Sequence, residues 1–376
     1  MTDLPPLSGL PTGVRARYVE GVNGLRMHLL EAGFATPDRP CLLLLHGFPE
    51  LAYSWRKVMP ALAAAGYHVV APDQRGYGRT TGADSRYDGE VAQFGYLNLV
   101  RDAVALVAAL GRKSVAAVIG HDFGSSVAAH CAMIRSDVFR AVALMSAPFA
   151  GPPSLPLPAP SDALHRALAA LEPPRKLYQW YYSTPEAAGE MADAPQGLHD
   201  FLRAYYHAKS AAWDGNAPFP LAGWAAAELA KMPAYYVMGL GDDMPAAVAR
   251  QMPSPAEIAA CAWLTEDELT IYAHEFARTG FQGALQWYRA GTSGLNTRDM
   301  ALFAGRRIEV PALFVAGASD WGVYQAPGAF EAMQTEACPD MRGCHRVEGA
   351  GHWVQQEQPD AVSGLLLNFL SDLAHD

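Results

Sequence analysis

The sequence has few charged residues, few cysteines and no long apolar run. Charged residues make up 18% of the 376 positions and hydrophobic ones 51%, which is typical of a globular chain. Because 38 acidic residues outnumber 28 lysines and arginines, the formal net charge is -10. This charge argues against nucleic acid or an anionic membrane surface as the main partner. No apolar stretch is long enough to span a bilayer.

The five cysteines are scattered along the chain without metal-ligand spacing. We therefore expect reduced thiols, no metal site and a cytoplasmic location. Cys338 and Cys344 are close in sequence, but no other feature supports a disulfide between them. The N-terminal residues MTDLPPLSGL lack the basic segment and apolar run that mark a secretory signal.

Short apolar runs alternate with amphipathic segments in the first part of the chain. Four of these runs are predicted to be buried strands: 41–47, 67–73, 114–120 and 139–148. Before them, two segments joined by Val22-Asn23-Gly24 predict an antiparallel hairpin at a sheet edge. Residues 88–111 have helical periodicity and end on a glycine suited to a helix C-terminus.

The character of the chain changes at Pro148, where a proline-rich segment leads into alanine-, tyrosine- and tryptophan-rich sequence with helical spacing. A strand pattern returns at 306–320, and a last helix is predicted over 359–374. We therefore predict an α/β core, with a mostly parallel twisted sheet flanked by helices, formed by residues 1–149 and 301–376. A helical cap over 150–300 would cover the carboxyl ends of the strands, where ligands bind in such sheets.

Residues 119–126, IGHDFGSS, resemble a strand-to-helix turn that presents a nucleophile, but with aspartate where serine is usual. Asp122 lies between two glycines, Asp320 follows the strand pattern at 306–320, and His352 follows a short strand. Nucleophile, acid and histidine, each after a strand, occur in the order of an α/β-hydrolase triad. Alone, either aspartate would be an ordinary helix cap. Together the three residues predict a catalytic triad.

An aspartate nucleophile implies different chemistry from a serine. With an unperturbed pKa of about 3.9, the carboxyl group of Asp122 is already an anion and attacks carbon without losing a proton. Attack on a saturated carbon forms an alkyl ester on the enzyme, and His352, oriented by Asp320, then activates water to hydrolyse it. The backbone N–H groups of Phe48 and Phe123 are predicted to stabilise the oxyanion.

Five motifs together resemble the epoxide hydrolases of the α/β-hydrolase fold, over nearly the whole chain: HGFPE (46–50), APDQRGYGRT (71–80), GHDFG (120–124), GASD (317–320) and GAGHW (349–353). The resemblance implies conversion of a small apolar epoxide and water to a vicinal diol, a detoxification type of reaction. It implies no metal and no cofactor, and it leaves open whether the protein forms a homodimer. Nucleic acid and membranes are not expected partners.

The resemblance also implies two cap tyrosines that bind and protonate the epoxide oxygen. KLYQWYYSTPE resembles the first tyrosine motif and places Tyr178 there, and FQGALQWYR resembles the second and places Tyr288 there. A phenol suits this task because its pKa of about 10 keeps it protonated at neutral pH. Tyr181 and Tyr182 lie one helical turn from Tyr178, so the identity of the first tyrosine stays open.

Several aromatic or rigid residues near the triad are predicted to shape the substrate pocket: Pro49, Trp287 and Trp353. Phe48 and Phe123 are expected to contribute apolar walls as well. His46 and His121 adjoin the predicted oxyanion loop and nucleophile, and we expect them to pack beside the site rather than take part in the chemistry.

Two other functions remain as alternatives. A haloalkane-type dehalogenase would use the same aspartate, but that family places N–H side-chain donors for the halide where this chain has Phe48 and Phe123. A catalytically silent binding protein would need a broken triad, and this triad is complete. An esterase is not supported, because Ser125 and Ser126 fall inside the helix that follows the turn.

Overall fold

The computed structural model describes residues 7–159 and 161–373. Its strands are β1 (Val14–Val22), β2 (Leu25–Ala32), β3 (Cys41–Leu45), β4 (His68–Pro72), β5 (Ala117–His121), β6 (Val142–Met145), β7 (Arg175–Leu177), β8 (Val237–Gly239), β9 (Ala312–Gly317) and β10 (Met341–Val347). Eight of them form the main sheet in the order β1-β2-β4-β3-β5-β6-β9-β10, while β7 and β8 pair separately.

The main sheet is parallel from β4 to β10, and β2 joins it antiparallel. The hairpin of β1 and β2 lies at one edge, as the sequence predicts. All four predicted buried strands are present as β3 to β6, shorter than predicted by two to six residues because their ends turn into loops. The predicted α/β-hydrolase architecture is therefore confirmed.

The helices, in chain order, are α1 (Met59–Ala64), α2 (Tyr96–Ala109), α3 (Phe123–Ile134), α4 (Ala163–Ala169), α5 (Tyr178–Tyr181), α6 (Ala187–Ala192), α7 (Leu198–Ala208), α8 (Ala226–Leu229), α9 (Met244–Ala249), α10 (Pro255–Ala260), α11 (Glu266–Thr279), α12 (Gln282–Thr292), α13 (Leu295–Met300), α14 (Ala329–Ala332), α15 (Val354–Glu357) and α16 (Pro359–Asp372). Within the described residues, none of them has the length and apolar character that crossing a membrane requires.

Strand β3 shows how the sheet organises the core. All five of its residues are buried, and alternate ones enter different clusters: Leu43 and Leu45 pack with α2 and α3, whereas Leu42 and Leu44 pack with α1 and α16. Since successive side chains of a strand point to opposite faces, a strand covered by helices on both faces is apolar throughout. The unbroken run CLLLL follows from this position.

Helices α4 to α13 lie between β6 and β9 in the chain. The sequence predicts this segment as helical, and the structure adds the two-stranded pair of β7 and β8. Strands of three residues are too short to show an alternating pattern, so the sequence does not reveal them. Strand β7 ends at Leu177, directly before Tyr178, whose N–H donates to the carbonyl of Tyr236.

Candidate active site

Asp122 occupies the sharp turn between β5 and α3. Its backbone has φ 52° and ψ -119°, outside the usual regions for an L-residue, and its side chain makes no capping bond to α3. Close backbone packing surrounds the turn: a Cβ on Gly120 would lie 2.0 Å from the carbonyl of Gly124, and one on Gly124 would lie 2.2 Å from the carbonyl of Leu45. Only glycine fits at these two positions.

The loop after β3 supplies a hydrogen-bond donor to the carboxylate. The N–H of Phe48 donates to Oδ1 of Asp122 at 2.9 Å. A Cβ on Gly47 would lie 2.4 Å from the same oxygen, so glycine is needed for this close approach. Within the described residues, the N–H of Phe123 makes no hydrogen bond to Asp122, and its part in an oxyanion hole stays a prediction.

The predicted triad residues lie together. His352 Nε2 is 3.2 Å from Oδ2 of Asp122, and its Nδ1 is 3.1 Å from Oδ1 of Asp320. The N–H of Gly322 donates to the same Asp320 oxygen at 2.7 Å, and all three triad residues are buried. The imidazole is thus oriented by a carboxylate on one side and directed at the candidate nucleophile on the other.

The surrounding charges keep the two aspartates ionised. Burial would raise the pKa of Asp122, but the nearby charges of His352, Lys209 and His121 outweigh it and hold this pKa well below its usual value. Asp320 is likewise buried, yet the charge and hydrogen bond of His352 lower its pKa overall. Asp122 is therefore an anion at neutral pH, as a direct nucleophile must be.

Two tyrosines share a cavity with Asp122. The cavity has a volume of about 440 Å³ and is lined by Asp122, Tyr178 and Tyr288 together with mostly apolar residues. Their two rings lie 5.8 Å apart. Burial and the charge of Asp122 raise the pKa of Tyr178 well above its usual value, and burial has the same effect on Tyr288. Both phenols are therefore protonated and can donate.

The hydroxyl contacts separate these tyrosines from their neighbours. Tyr182, which does not line the cavity in the described part of the chain, directs its hydroxyl at that of Tyr205 at 3.3 Å. The hydroxyl of Tyr178 donates to Oε1 of Gln325 at 3.1 Å, at the cavity wall. Among the described residues, Tyr288 has no hydrogen-bond acceptor for its hydroxyl. Tyr181, like Tyr182, is absent from the described lining of the cavity, so the geometry favours Tyr178.

Trp287, Trp353 and Pro49 are the three residues predicted to shape the pocket. Among the described residues, the lining of the cavity that contains Asp122 includes none of them, and their part in the substrate pocket stays a prediction. Trp287 packs on the Phe123 ring and Trp353 on His352, with ring centroids 5.2 and 4.7 Å apart. Each indole N–H donates to a backbone carbonyl, which satisfies the only polar atom of a fully buried ring.

A buried acid beneath the site is not apparent from the sequence. Glu50, the last residue of HGFPE, contacts His121 Nδ1 through Oε2 at 2.6 Å and accepts the N–H of Gly47 at 3.1 Å. His121 Nε2 lies 2.7 Å from the carbonyl of His352. The mutual attraction of Glu50 and His121, both fully buried, lowers the pKa of the acid and raises that of the histidine. His121 therefore supports the triad without facing the cavity, as expected.

His46 likewise packs beside the site. Its Nε2 accepts the N–H of Gln74 at 3.1 Å, and its Nδ1 lies 2.9 Å from the carbonyl of Gly47. A further buried cation, Lys209, has its Nζ 5.0 to 5.8 Å from four aromatic rings. No motif in the sequence marks it, because its position depends on where the cap folds. In the described ranges, no group of three His, Cys, Asp or Glu side chains could hold a metal ion.

Comparisons with known proteins agree with this geometry. Residues 40–226 match the model of the α/β-hydrolase fold family. The chain is 34% identical to epoxide hydrolase A of Mycobacterium tuberculosis (strain ATCC 25618 / H37Rv) over 373 residues, which cover 97% of this chain and 99% of that protein. The chain belongs to the epoxide hydrolase family.

Two further relatives support the assignment of the chain to the epoxide hydrolase family. Epoxide hydrolase B of the same M. tuberculosis strain is 36% identical over 361 residues, covering 93% of this chain and 96% of that protein. The solved structure of an epoxide hydrolase from an endophytic Streptomyces superposes with a TM-score of 0.78 at 33% identity, covering 97% and 98% of the two chains. The similarity includes the cap as well as the core.

Proposed function

We propose that this protein hydrolyses small apolar epoxides to vicinal diols through an ester on Asp122. The observation that carries the proposal is one cavity with an ionised carboxylate at its base and two protonated tyrosines in its wall. His352 lies behind the carboxylate, at 3.2 Å. An epoxide oxygen is a poor leaving group, so ring opening is favoured where an ionised nucleophile faces groups that can protonate this oxygen.

In the first step, Asp122 attacks the less hindered epoxide carbon. A bond forms from that carbon to Oδ2, because Oδ1 accepts the N–H of Phe48. The carbon–oxygen bond of the epoxide breaks, and its electron pair goes to the oxygen. This oxygen takes a proton from Tyr178 or Tyr288, and the product is a hydroxyalkyl ester of the enzyme.

In the second step, water cleaves the ester at its carbonyl carbon. His352 takes a proton from the water, and Asp320 stabilises the imidazolium that forms. The negative charge that develops on Oδ1 meets the N–H of Phe48, with Phe123 proposed as a second donor. Collapse breaks the bond between the carbonyl carbon and the original Oδ2, and this oxygen takes the proton held by His352 and leaves with the diol. The oxygen of the water stays on the new carboxyl group, whose proton returns to the tyrosinate formed in the first step.

The size and lining of the cavity support a small apolar substrate. About 440 Å³ accommodates a compact molecule, and the wall is mostly aromatic or aliphatic: Tyr96, Phe123, Leu177, Trp180, Trp224 and Leu229. We also propose that residues 150–300 act as a cap over the core, 1–149 and 301–376. A homodimer and a cytoplasmic location stay predictions.

A single turnover in oxygen-18 water tests the ester mechanism. With enzyme in excess over styrene oxide, we expect an unlabelled diol and one oxygen-18 atom in the Asp122 carboxylate, both read by mass spectrometry. Asp122→Ala is the matched control, and it should form no diol while keeping its folded circular dichroism spectrum.

The other outcomes separate the alternatives. Oxygen-18 in the first-turnover diol would contradict the ester mechanism, because it would mean direct attack of water on the epoxide. Halide release from a bromoalkane without epoxide opening would indicate a dehalogenase. Ligand binding without turnover of either substrate would indicate a silent binding protein.

A further inference from the structure

The carboxylate of Glu357, at the end of α15, holds the backbone on both sides of His352. It accepts the N–H of Gly351, at 3.1 Å to Oε1 and 3.0 Å to Oε2, and the N–H of Trp353, at 3.0 Å to Oε1. No sequence motif marks this glutamate. Two of its three donors are the immediate neighbours of the histidine, so Glu357 directly constrains where the His352 backbone lies.

The third donor belongs to the cap segment after α7. The N–H of Ala211 donates to Oε2 of Glu357 at 2.8 Å. In the same segment, the carbonyl of Lys209 accepts the N–H of His352 at 2.8 Å, and a Cβ on Gly351 would lie 2.5 Å from that carbonyl. The Glu357 side chain therefore links the histidine loop to the cap, and Gly351 packs closely against the backbone of the same cap segment.

Glu357 does not share the substrate cavity. It lines a separate cavity of about 530 Å³ between cap and core, with Lys57, Arg203, His207 and Glu257 among the other lining residues. Its effect on the chemistry must therefore pass through the backbone of His352. In the described part of the chain, each imidazole nitrogen lies near one carboxylate, at 3.1 Å to Asp320 and 3.2 Å to Asp122, so a small shift of the loop would disturb both distances.

The charge of Glu357 is what allows this arrangement. An ionised carboxylate offers only acceptors, and bonds from N–H groups to it are stronger than bonds to a neutral acceptor. Glutamine has the same shape, but one oxygen is replaced by an NH₂ group, which cannot accept these N–H groups. The Glu357→Gln change thus removes acceptors while keeping the side-chain volume.

We propose that Glu357 is a positioning residue for the second half of the reaction: it holds His352 where the imidazole activates water, and it has no part in ring opening. The inference rests on the proposed two-step function. It predicts that the rate of ester hydrolysis depends on Glu357 and that the rate of ester formation does not, since Asp122 attacks without help from His352 as a base.

The test measures the two steps separately in the full-length protein. Single-turnover stopped-flow fluorescence with styrene oxide, at about pH 8, above the pKa of about 7 to which burial raises Glu357, gives both rates. Intact mass after acid quenching measures the ester. For Glu357→Gln we expect ester hydrolysis to slow by about tenfold or more, ester formation to change by less than about twofold, and the ester to accumulate.

The controls define what would overturn the proposal. Asp360→Asn changes an exposed carboxylate three residues further along and should match the wild type in both steps. If Glu357→Gln folds poorly, Glu357→Asp, which keeps the charge but shortens the side chain, should still lower the ratio of hydrolysis to formation rates. Equal loss of both rates, or an unchanged hydrolysis rate, would refute the proposal.

His352→Gln separates this inference from the function on which it rests. If His352→Gln accumulates the ester but Glu357→Gln hydrolyses it at the wild-type rate, only the positioning role fails. If no ester forms in the wild type or in any variant, the proposed mechanism itself fails.

Discussion

Asp122 combines a strained backbone with an ionised side chain. A φ of 52° for a non-glycine residue costs about 1–3 kcal/mol and persists only where the surrounding structure enforces it. Here the enforcement comes from Gly120 and Gly124, which allow β3, β5 and α3 to approach closely. The conformation turns the carboxylate away from the helix it precedes, toward Phe48 N–H and the cavity.

The two cavity tyrosines provide a residue-scale prediction. We expect Tyr178→Phe and Tyr288→Phe each to slow ester formation by about tenfold or more, because each removes a proton donor from the leaving oxygen. Tyr182→Phe is the matched control, since its hydroxyl contacts that of Tyr205, and it should stay within about threefold of the wild type.

Single-turnover rates with styrene oxide check this prediction. If Tyr182→Phe slows ester formation as much as Tyr178→Phe does, the first ring-opening tyrosine is assigned to the wrong position. An unchanged rate in the double variant, with both cavity tyrosines replaced, would mean that the epoxide oxygen is protonated by another group.

The identity of this tyrosine illustrates what sequence reasoning could reach. Tyr178, Tyr181 and Tyr182 are adjacent on one short segment, and residue type and spacing do not separate them. The separation depends on β7, which ends at Leu177 and sets where α5 begins, and on Tyr205, brought close by another helix. The pairing of β7 with β8 and the contact of Tyr182 with Tyr205 each join separate segments of the chain, so only the folded chain provides them.

At the scale of the element, the contact of α3 with β3 determines the geometry of the nucleophile turn. A Cβ on Gly124 would lie 2.2 Å from the carbonyl of Leu45, a backbone atom that cannot rotate away. We expect Gly124→Ala to lower the free energy of unfolding by about 1–3 kcal/mol, as overpacked positions do, and to reduce activity by moving Asp122.

Gly364→Ala is the matched control for this element. Gly364 is exposed on α16, and a Cβ added there would have no atom within 4 Å, so alanine should stabilise the helix by about 0.5–1 kcal/mol. Urea unfolding monitored by circular dichroism measures the free energy of unfolding of both variants. A Gly124→Ala protein as stable as the wild type would contradict the close packing of α3 on β3.

The prediction of elements succeeds where the pattern is local and repeated. The apolar runs of β3 to β6 and the periodicity of α2 identify the core because burial on both faces of the sheet requires them. The same pattern does not locate large apolar side chains: Trp287 and Trp353, predicted in the pocket, pack on Phe123 and on His352 in the structure. Size and apolarity indicate burial near the site, but they do not indicate which side chains touch the substrate.

At the scale of the whole molecule, stability toward acid depends on buried carboxylates with lowered pKa values. Glu31 on β2 accepts Nε–H bonds from Arg15 and Arg17 at 2.8 Å each, and its other oxygen lies 3.1 Å from His68 Nε2. Burial opposes ionisation, but these partners outweigh it and lower the pKa of Glu31 from 4.5 to about 2.

The sign of the pH dependence follows from this shift. Because the folded pKa lies below the unfolded one, ionised Glu31 stabilises the fold above about pH 4.5, and this contribution is lost as the pH falls toward about 2. We expect Glu31→Gln to be less stable than the wild type by about 2 kcal/mol at neutral pH, with a difference that shrinks in acid.

Urea unfolding at several pH values between neutral and about pH 3 checks this expectation. Glu20→Gln is the matched control, because Glu20 lies on the neighbouring strand but is 73% exposed in its pair with Arg26. It should change stability by less than about 1 kcal/mol. A Glu31→Gln difference that does not vary with pH would contradict the role of its charge.

The sequence by itself determined the fold class and the order of Asp122, Asp320 and His352, because these depend on strand periodicity and on motifs at strand ends. Only the tertiary structure decided which cap tyrosines face Asp122, that Glu50 supports the site through His121, and that Glu357 holds the histidine loop. Apart from the local bonds of Glu357 to Gly351 and Trp353, these contacts join distant parts of the chain: 71 positions separate Glu50 from His121, and 146 separate Glu357 from Ala211. Such partners are set by packing rather than by local pattern.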